Sequence, residues 1–529
     1  MSESEGGAPI AAEGERSTGL LPAQMLRAAV QGGGEVLASE PIGEDQIQPA
    51  SIDLRLGEAA YRVRASFLPL NMRFFETIGS ATIIAYDDRP ILTTDPWITS
   101  DAYFGSWTQD YAIPAAQLQA ICEAKYHWFS HGHPDHLNVD SLPMLSGQFL
   151  LSDHYGKRIY RELVAAGHNV RILPDWEWVA LSDGIRVCSV ANRNQDSMLL
   201  IDVNGRLVIN MNDSSDYGES FRVRRIAKQF KEIYFLQLHG WGGADMSNLF
   251  APDGTKLTSV DERRRLIAPR AQRSARAMGA GKVIPFSSFH RYQRADSAWA
   301  NGLIPELADY QTGAIPGWPE MLPAFVRVNC ESDEITEISP PRQSSVLKQP
   351  EEFGDSWSDP LVADDKEKIR NYFRARAALH NHFGFVEVKA GGSSVIVDLN
   401  REKKLRDVGI TFEAPRNSMM TCIEHEFFDD LLIGNFMRTT LHNVEGLYPN
   451  FTPYVAKYAD NGGAKSHREL LVYFGHYYLR DPVAHSIKKL LDGSESVVRN
   501  LLKENTIGFQ IAKRIYYDFS TRAALSRKK

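Results

Sequence analysis

Residues 130–138 read Ser-His-Gly-His-Pro-Asp-His-Leu-Asn, which packs His131, His133, Asp135 and His136 into six positions. Neutral imidazoles and a carboxylate with no thiolate among them suit Zn²⁺ or Fe²⁺ in a reactive site, and argue against a purely structural zinc cage. An ion held this way activates water and polarises the group under attack. The apolar run Tyr126–Phe129 in front of the motif reads as a strand. A strand end followed by a tight loop containing Gly132 and Pro134 sends His131 and His133 to one side. Asp135 and His136 then reach a second position from the following turn. Asp135 and His136 are the candidate catalytic pair, and one or two ions are expected.

The elements that must position these residues are short strands. From about 74 to 341 the pattern is strand-rich, with a hairpin turned at Asp87-Asp88 and strands at KYHWFS, GQFLLS, VRILP, GIRVCSV, SMLLIDV, RLVINMN, EIYFLQL and KVIPF. Helical stretches are expected at about 156–167, 219–230 and 261–279. Many short strands with a few helices between them predict two sheets covered by helices, an α+β class.

The order HxHxDH after a strand resembles the signature of the metallo-β-lactamase superfamily, whose fold is an αββα sandwich. The resemblance implies that ILTTDPW is the opening strand ending in an aspartate. It also implies that Asn212-Asp213 after LVINM supplies a metal-bridging carboxylate at Asp213, and that His290 in VIPFSSFH is the last histidine ligand. A further ligand of the usual set belongs in the turn 191–197, which holds no histidine; Asn192 or Asn194 stands there. His239 in LQLHGWGGADM is another residue able to fill that gap. Within the superfamily, TDPW at 94–97, Tyr103-Phe104-Gly105-Ser106-Trp107, VINMND and VIPFSSF with Trp299-Ala300-Asn301 are similar to the non-Rieske portion of the CMP-N-acetylneuraminate hydroxylase family. UlaG-like lactonases and the N-acylphosphatidylethanolamine phospholipase D group share parts of this pattern. A Rieske cluster needs a Cys-x-His pair together with a Cys-x-x-His pair, and none of the four cysteines forms the first of these, so the set is missing.

The rest of the chain divides by composition. Residues 1–19 read as a disordered tail. Residues 20–70 contain QPASIDLRLG at 48–57 within a stretch of alternating residues, a small β element that resembles the N-terminal segment of dCTP deaminases. Residues 71–341 form the expected catalytic domain and 342–364 a polar, Pro-containing linker. A C-terminal α+β domain follows over 365–529: a helix over 366–383, strands at FVEVKAGG, SSVIVDL and VGITFEA, and a helical last hundred residues. His380 and His382, two apart, do not share a helical face and read as structural.

A net charge of −7 over 529 residues carries no polyanion-binding signature, so no nucleic acid partner is expected. The four cysteines lie far apart, as in a reducing compartment. The acidic start lacks a signal peptide, and no apolar run is long enough to span a bilayer. A cytoplasmic protein with a small-molecule substrate, open to oligomerisation, is expected. The leading reading is a metal-dependent hydrolase acting on a small-molecule ester, phosphoester or lactone. The alternatives are a non-haem iron oxygenase on a nucleotide-sugar-like substrate, fed by a separate electron donor, and a non-catalytic binding scaffold.

Overall fold

The computed structural model describes residues 23–30, 42–47, 72–99, 101–238, 248–257, 266–287, 289–344, 346–400, 402–483 and 485–486. The chain divides into one unit over Met1–Leu68 and another over Pro69–Lys529. In the first, helix α1 (Ala23–Val30) buries Leu26, and Arg27 pairs with Glu44 at 2.8 Å. The expected tail and nearly all of the small β element lie outside the described residues.

The second unit opens with a meander of β1 (Arg73–Ile78), β2 (Thr82–Asp87) and β3 (Arg89–Thr94). Asp88, at φ 61°, makes the expected turn; a short polar side chain tolerates this left-handed backbone. Next come β4 (Trp107–Gln109), α2 (Ala115–Glu123), β5 (Tyr126–Phe129), β6 (Gln148–Ser152), α3 (Arg158–Ala165) and β7 (Val170–Leu173). A second set follows: β8 (Trp178–Ala180), β9 (Ile185–Ala191), β10 (Ser197–Val203), β11 (Arg206–Asn212), α4 (Ser220–Ala227) and β12 (Glu232–Leu238). After β13 (Leu249–Phe250) and α5 (Ile267–Met278) it continues with β14 (Lys282–Phe286), β15 (His290–Tyr292), β16 (Glu320–Met321), β17 (Val326–Asn329) and β18 (Ile335–Glu337).

Fifteen of these strands make two sheets, in the orders β18-β17-β1-β2-β3-β5-β6-β7 and β16-β14-β12-β11-β10-β9-β8, while β4 pairs with β15. Phe75, Trp128 and Leu150 of the first meet Leu199, Ile201, Tyr234 and Ile284 of the second in a shared core. On the outer faces, Ala120 and Ile121 of α2 pack on Ile78 and Ile84, and Leu163 of α3 on Phe149 and Leu151. Val223 of α4 and Ala271 and Ala275 of α5 cover Ile209, Phe235 and Val283. The layers run helix, sheet, sheet, helix. Every residue of β10 is buried, so its Leu and Ile residues each contribute about 1.5–3 kcal/mol of burial. This rigid centre carries the loops at the strand ends.

The C-terminal part adds α6 (Ala363–Arg374), β19 (Phe385–Ala390), β20 (Ser393–Asp398), β21 (Gly409–Glu413), α7 (Arg416–His425), α8 (Asp429–Ile433) and β22 (Arg438–His442). Its sheet, β13-β22-β21-β19-β20, borrows β13 from the preceding region, with Leu249 beside Thr439. β19 alternates buried and half-buried residues, the period-2 mark of a sheet with one face on a core. The expectation of an all-helical end is corrected here. Arg438–His442 is a strand because Thr439 and Leu441 point inward while their neighbours point out, and both of its edges are paired. Beyond it run a π-helical segment, Pro453–Asn461, and α9 (His467–Arg480). Ser466 caps α9 by accepting from the Glu469 amide at 3.2 Å. The Nε2 of His380 is spent on the Arg374 carbonyl at 3.1 Å, and His382 stacks on Tyr454.

Residues 342–364 carry anchors of their own. Asp355, buried, accepts from the Ser418 amide at 2.9 Å and pairs with Arg294 at 2.7 Å.

Candidate metal centre

Four parallel strand ends build the site. β3 and β5 lie side by side, and the Asp95 amide donates to the Trp128 carbonyl at 2.8 Å, bringing Asp95 beside the start of the histidine loop. The loop turns at once. The His136 and Leu137 amides both bond the His133 carbonyl, at 3.0 and 2.8 Å, while Asn138 caps the Ser141 amide at 3.0 Å. On the facing sheet, a register shift between Asn210 and Asn212 precedes the last β11–β12 pair, Asn212 with Gln237. Asn212 takes φ 49° and swings Asp213 towards the histidines. Ser287, at φ 65° beyond β14, donates to Asp213 Oδ1 at 2.8 Å.

The imidazoles are buried and orientated. His131 Nδ1 meets Ser130 Oγ at 2.8 Å, which turns Nε2 inward. His136 Nδ1 lies 3.4 Å from Asp95 Oδ2 and 3.1 Å from the Asn212 amide. Among the described residues, buried His136 Nε2 has no well-formed hydrogen bond, with Asp135 Oδ2 at 3.3 Å and Asp213 Oδ2 at 3.5 Å. His131 Nε2 stands 3.9 Å from the same Asp213 oxygen and 2.7 Å from His133 Nδ1. His131, His136 and Asp213 thus offer ligand atoms within 4.8 Å of one another. A carboxylate or hydroxyl behind each imidazole is the usual way of fixing ring and tautomer for a metal.

Charge points the same way. Asp95, Asp135, Asp196, Asp213, Asp429 and Asp430 crowd around the three histidines of the loop, with the Lys457 ammonium among them. Burial disfavours a charge on His136, yet Asp135 and Asp213 push its pKa well above the ordinary histidine value. Burial, followed by His136 and His133, drives His131 well below it. Burial also works against the Asp135 carboxylate, but His136 beside it brings its pKa down to about 2. A surplus of buried carboxylate answered by a proton on an imidazole is an environment that a divalent cation suits better. Among the described residues, the donor set fits a metal ion.

The remaining expected residues are placed as follows. His290 pairs across β15 with Gln109 of β4 and stacks its ring on Trp107, centroids 3.3 Å apart; among the described residues it does not fall in a group of three ligand-bearing side chains. Asn192 donates to Ser214 Oγ, beyond β11, at 2.6 Å and accepts from the Asn194 amide within its own turn at 2.8 Å. Asn194 donates to Asp196 Oδ2 at 3.3 Å. His239 lies outside the described residues.

Several residues of the site are not singled out by sequence reasoning. Tyr103 donates its hydroxyl to Asp135 Oδ1. It sits in a turn where Tyr103, Phe104 and Gly105 all have positive φ (52°, 57° and 77°). Asp429 of α8 lies with Oδ2 2.9 Å from His133 Nε2, and Lys457 Nζ lies 3.4 Å from that same oxygen. Lys457 also lies 3.8 Å from Asp196, and burial, opposed by its acidic neighbours, leaves it charged. A second group able to hold an ion is His133 with Asp429 and Asp430. No local spacing links residues so far apart.

The family described as the 2'-deoxycytidine 5'-triphosphate deaminase N-terminal domain matches residues 17–82, a match that runs into β1 and the start of β2. The cytidine monophosphate-N-acetylneuraminic acid hydroxylase of Asterias rubens is 25% identical over 136 residues, 24% of this chain. The match spans about a fifth (21%) of that hydroxylase's length. Among solved structures, an isothiocyanate hydrolase from Delia radicum gut bacteria is 11% identical, covering 50% of this chain and 99% of its own, with a TM-score of 0.31. The metallo-β-lactamase fold protein YhfI from Bacillus subtilis is 12% identical, covering 41% of this chain and 86% of its own, with a TM-score of 0.25. The layer order makes the region from Arg73 to Glu337 of this chain an αββα sandwich with the histidine loop at its strand ends.

Proposed function

We propose that the protein is a metal-dependent hydrolase of small-molecule esters, phosphoesters or lactones. The observation that carries this reading is the convergence of His131 Nε2, His136 Nε2 and Asp213 Oδ2 at the strand ends, with His133 Nδ1 2.7 Å from His131 Nε2. These four, with Asp135, are the residues proposed to hold the ion or ions, Zn²⁺ or Fe²⁺. Such an ion lowers the pKa of bound water towards about 7 and polarises the scissile bond.

The chain's own residues supply the rest. Asp135, ionised and gripped by Tyr103, orients the attacking water and takes its proton on a carboxylate oxygen. Burial and then the charge of Asp135 hold the Tyr103 hydroxyl well above its ordinary pKa, so it stays a proton donor. Lys457 adds positive charge that favours an anionic substrate group. His290 and Asn192 are assigned positioning roles beside the site, through Trp107 and the Asn192–Asp196 turn.

The sequence similarity to a hydroxylase favours one second reading, an iron oxygenase with a separate electron donor. Metal analysis of protein purified without added metal, coupled to an ester, phosphodiester and lactone panel, separates the two. Zinc with hydrolytic turnover supports the hydrolase. Iron with product formation that requires dioxygen and a reductant overturns it, and negligible metal overturns both.

A further inference from the structure

We infer that Asp429, fixed by Lys457, positions the metal ligand His133, so that the C-terminal region completes the metal centre. The inference rests on the metal-site reading above and adds residues that lie outside the histidine loop. It starts from the two nitrogens of one ring. His133 Nδ1 faces His131 Nε2 at 2.7 Å, while His133 Nε2 faces Asp429 Oδ2 at 2.9 Å. A neutral imidazole ligates through one nitrogen and donates from the other. With Nδ1 turned to the point shared with His131, Nε2 carries the proton and gives it to Asp429. His131 and His136 follow the same rule, with Ser130 and Asp95 behind their outer nitrogens.

His133, Asp429 and Asp430 could instead hold an ion of their own. The ammonium of Lys457 argues against this. It lies 3.4 Å from Asp429 Oδ2 and 3.5 Å from His133 Nε2, and so already supplies the positive charge there.

Asp429 has its own support. Asp460, on the π-helical segment that carries Lys457, accepts from the Phe428 amide at 3.2 Å and from the Tyr372 hydroxyl at 2.7 Å, and it pairs with Arg376. Asp460 therefore holds the residue preceding Asp429. The sandwich and the C-terminal part interlock around the same point. Arg158 of α3 donates to the carbonyls of His425 and Glu426 at 2.6 Å each, and the Tyr477 hydroxyl bonds the Tyr155 amide at 3.0 Å. Across this interface, His131 of the sandwich and Asp429 of the C-terminal part face the two nitrogens of His133.

The test is Co²⁺ titration of the full chain, followed by visible absorption, for wild type, Asp429→Asn, Lys457→Met and His131→Ala, with melting curves for each. Asp429→Asn keeps size and an acceptor but removes the charge. It is expected to weaken Co²⁺ affinity about 10–100-fold and to shift the cobalt band at unchanged stoichiometry. Asp429→Glu is expected to restore part of the affinity. Lys457→Met, which leaves Asp429 without its counter-charge, is expected to weaken binding less. Wild-type affinity and spectrum in Asp429→Asn, with His131→Ala abolishing binding, overturn this inference and leave the metal site standing. Loss of one whole ion from a two-ion protein, with the other unaltered, also overturns it by making Asp429 a direct ligand. Absence of saturable Co²⁺ binding in the wild type overturns the metal-site reading itself. A fall in melting temperature with an unchanged cobalt band marks a purely structural role and counts against the inference.

Discussion

His136 and His133 are three residues apart on one loop, yet their rings are held by different parts of the molecule. Behind His136 stands Asp95, at the end of a strand parallel to the one that launches the loop. Behind His133 stands Asp429, 296 residues further along the chain. The first support belongs to the sandwich and exists as soon as the sheet pairs. The second exists only after the C-terminal part has docked. One side of the site is therefore built by local topology and the other by assembly, and substitutions on the two sides are expected to fail differently.

The largest expected effect is on the sandwich side. His136→Ala removes the ring at the centre of Asp95, Asp135 and Asp213, and is expected to abolish stoichiometric metal binding and turnover while the fold persists. Elemental analysis and circular dichroism check this; a variant with wild-type metal content and activity breaks the assignment of the ring. Next comes Arg376→Met on the assembly side. Arg376 is 1% exposed and Asp460 0%, so the change strands a buried carboxylate and is expected to cost about 3–5 kcal/mol. Equilibrium urea unfolding measures it. If metal affinity falls along with stability, the assembled half of the site is coupled to its anchor; if stability is unchanged, the anchor is not one.

The same division governs what the sequence discloses. The eight strands anticipated between Tyr126 and Phe286 are found because each is an apolar run bounded by turn residues, and the hairpin at Asp87-Asp88 is found by its turn chemistry. His131, His133, Asp135 and His136 are legible because a strand end and a tight loop force neighbours in sequence to be neighbours in space. Asp429 is illegible for the converse reason. It sits in a five-residue helix of ordinary composition, and nothing in DDLLI distinguishes a carboxylate facing a histidine from one facing solvent. Lys457 looks like a surface residue of an amphipathic segment and is 6% exposed. The strand Arg438–His442 is hidden because its partners come from β13 and β21, far away in sequence.

A smaller effect probes the rigid centre of the sandwich by pH. Burial brings the His127 pKa down to about 4 from its ordinary 6.5, while Thr93 Oγ1 meets Nδ1 at 2.7 Å. A folded-state value below the unfolded one means that the unfolded chain binds the proton first as pH falls. The contribution of His127 is therefore fully present above about 6.5. It is lost at up to about 1.4 kcal/mol per pH unit down to about 4. His127→Gln, which keeps an amide where the ring bonded, is expected to flatten the acid limb of a plot of unfolding free energy against pH. Parallel limbs for variant and wild type would contradict a neutral, buried His127.

The smallest expected effect tests the hydroxyl on Asp135, the carboxylate proposed to take the proton. Tyr103 and Phe104 are successive non-glycine residues in the left-handed region, a backbone that costs roughly 1–2 kcal/mol per residue. The ring of Tyr103 is held edge-on against Trp107, centroids 4.5 Å apart, and this packing survives Tyr103→Phe. What is lost is one hydrogen bond to a charged group, worth about 1.5–3 kcal/mol at most and less where water reaches the freed oxygen. A modest loss of stability is therefore expected, with kcat falling about tenfold and KM little changed, because Asp135 keeps its contact with His136 but loses the bond that aims it. The acid limb of the pH–rate profile should also move upward, since a carboxylate deprived of a donor protonates more easily. A loss of stability with kcat and the pH profile intact would show that Tyr103 braces the turn without aiming Asp135.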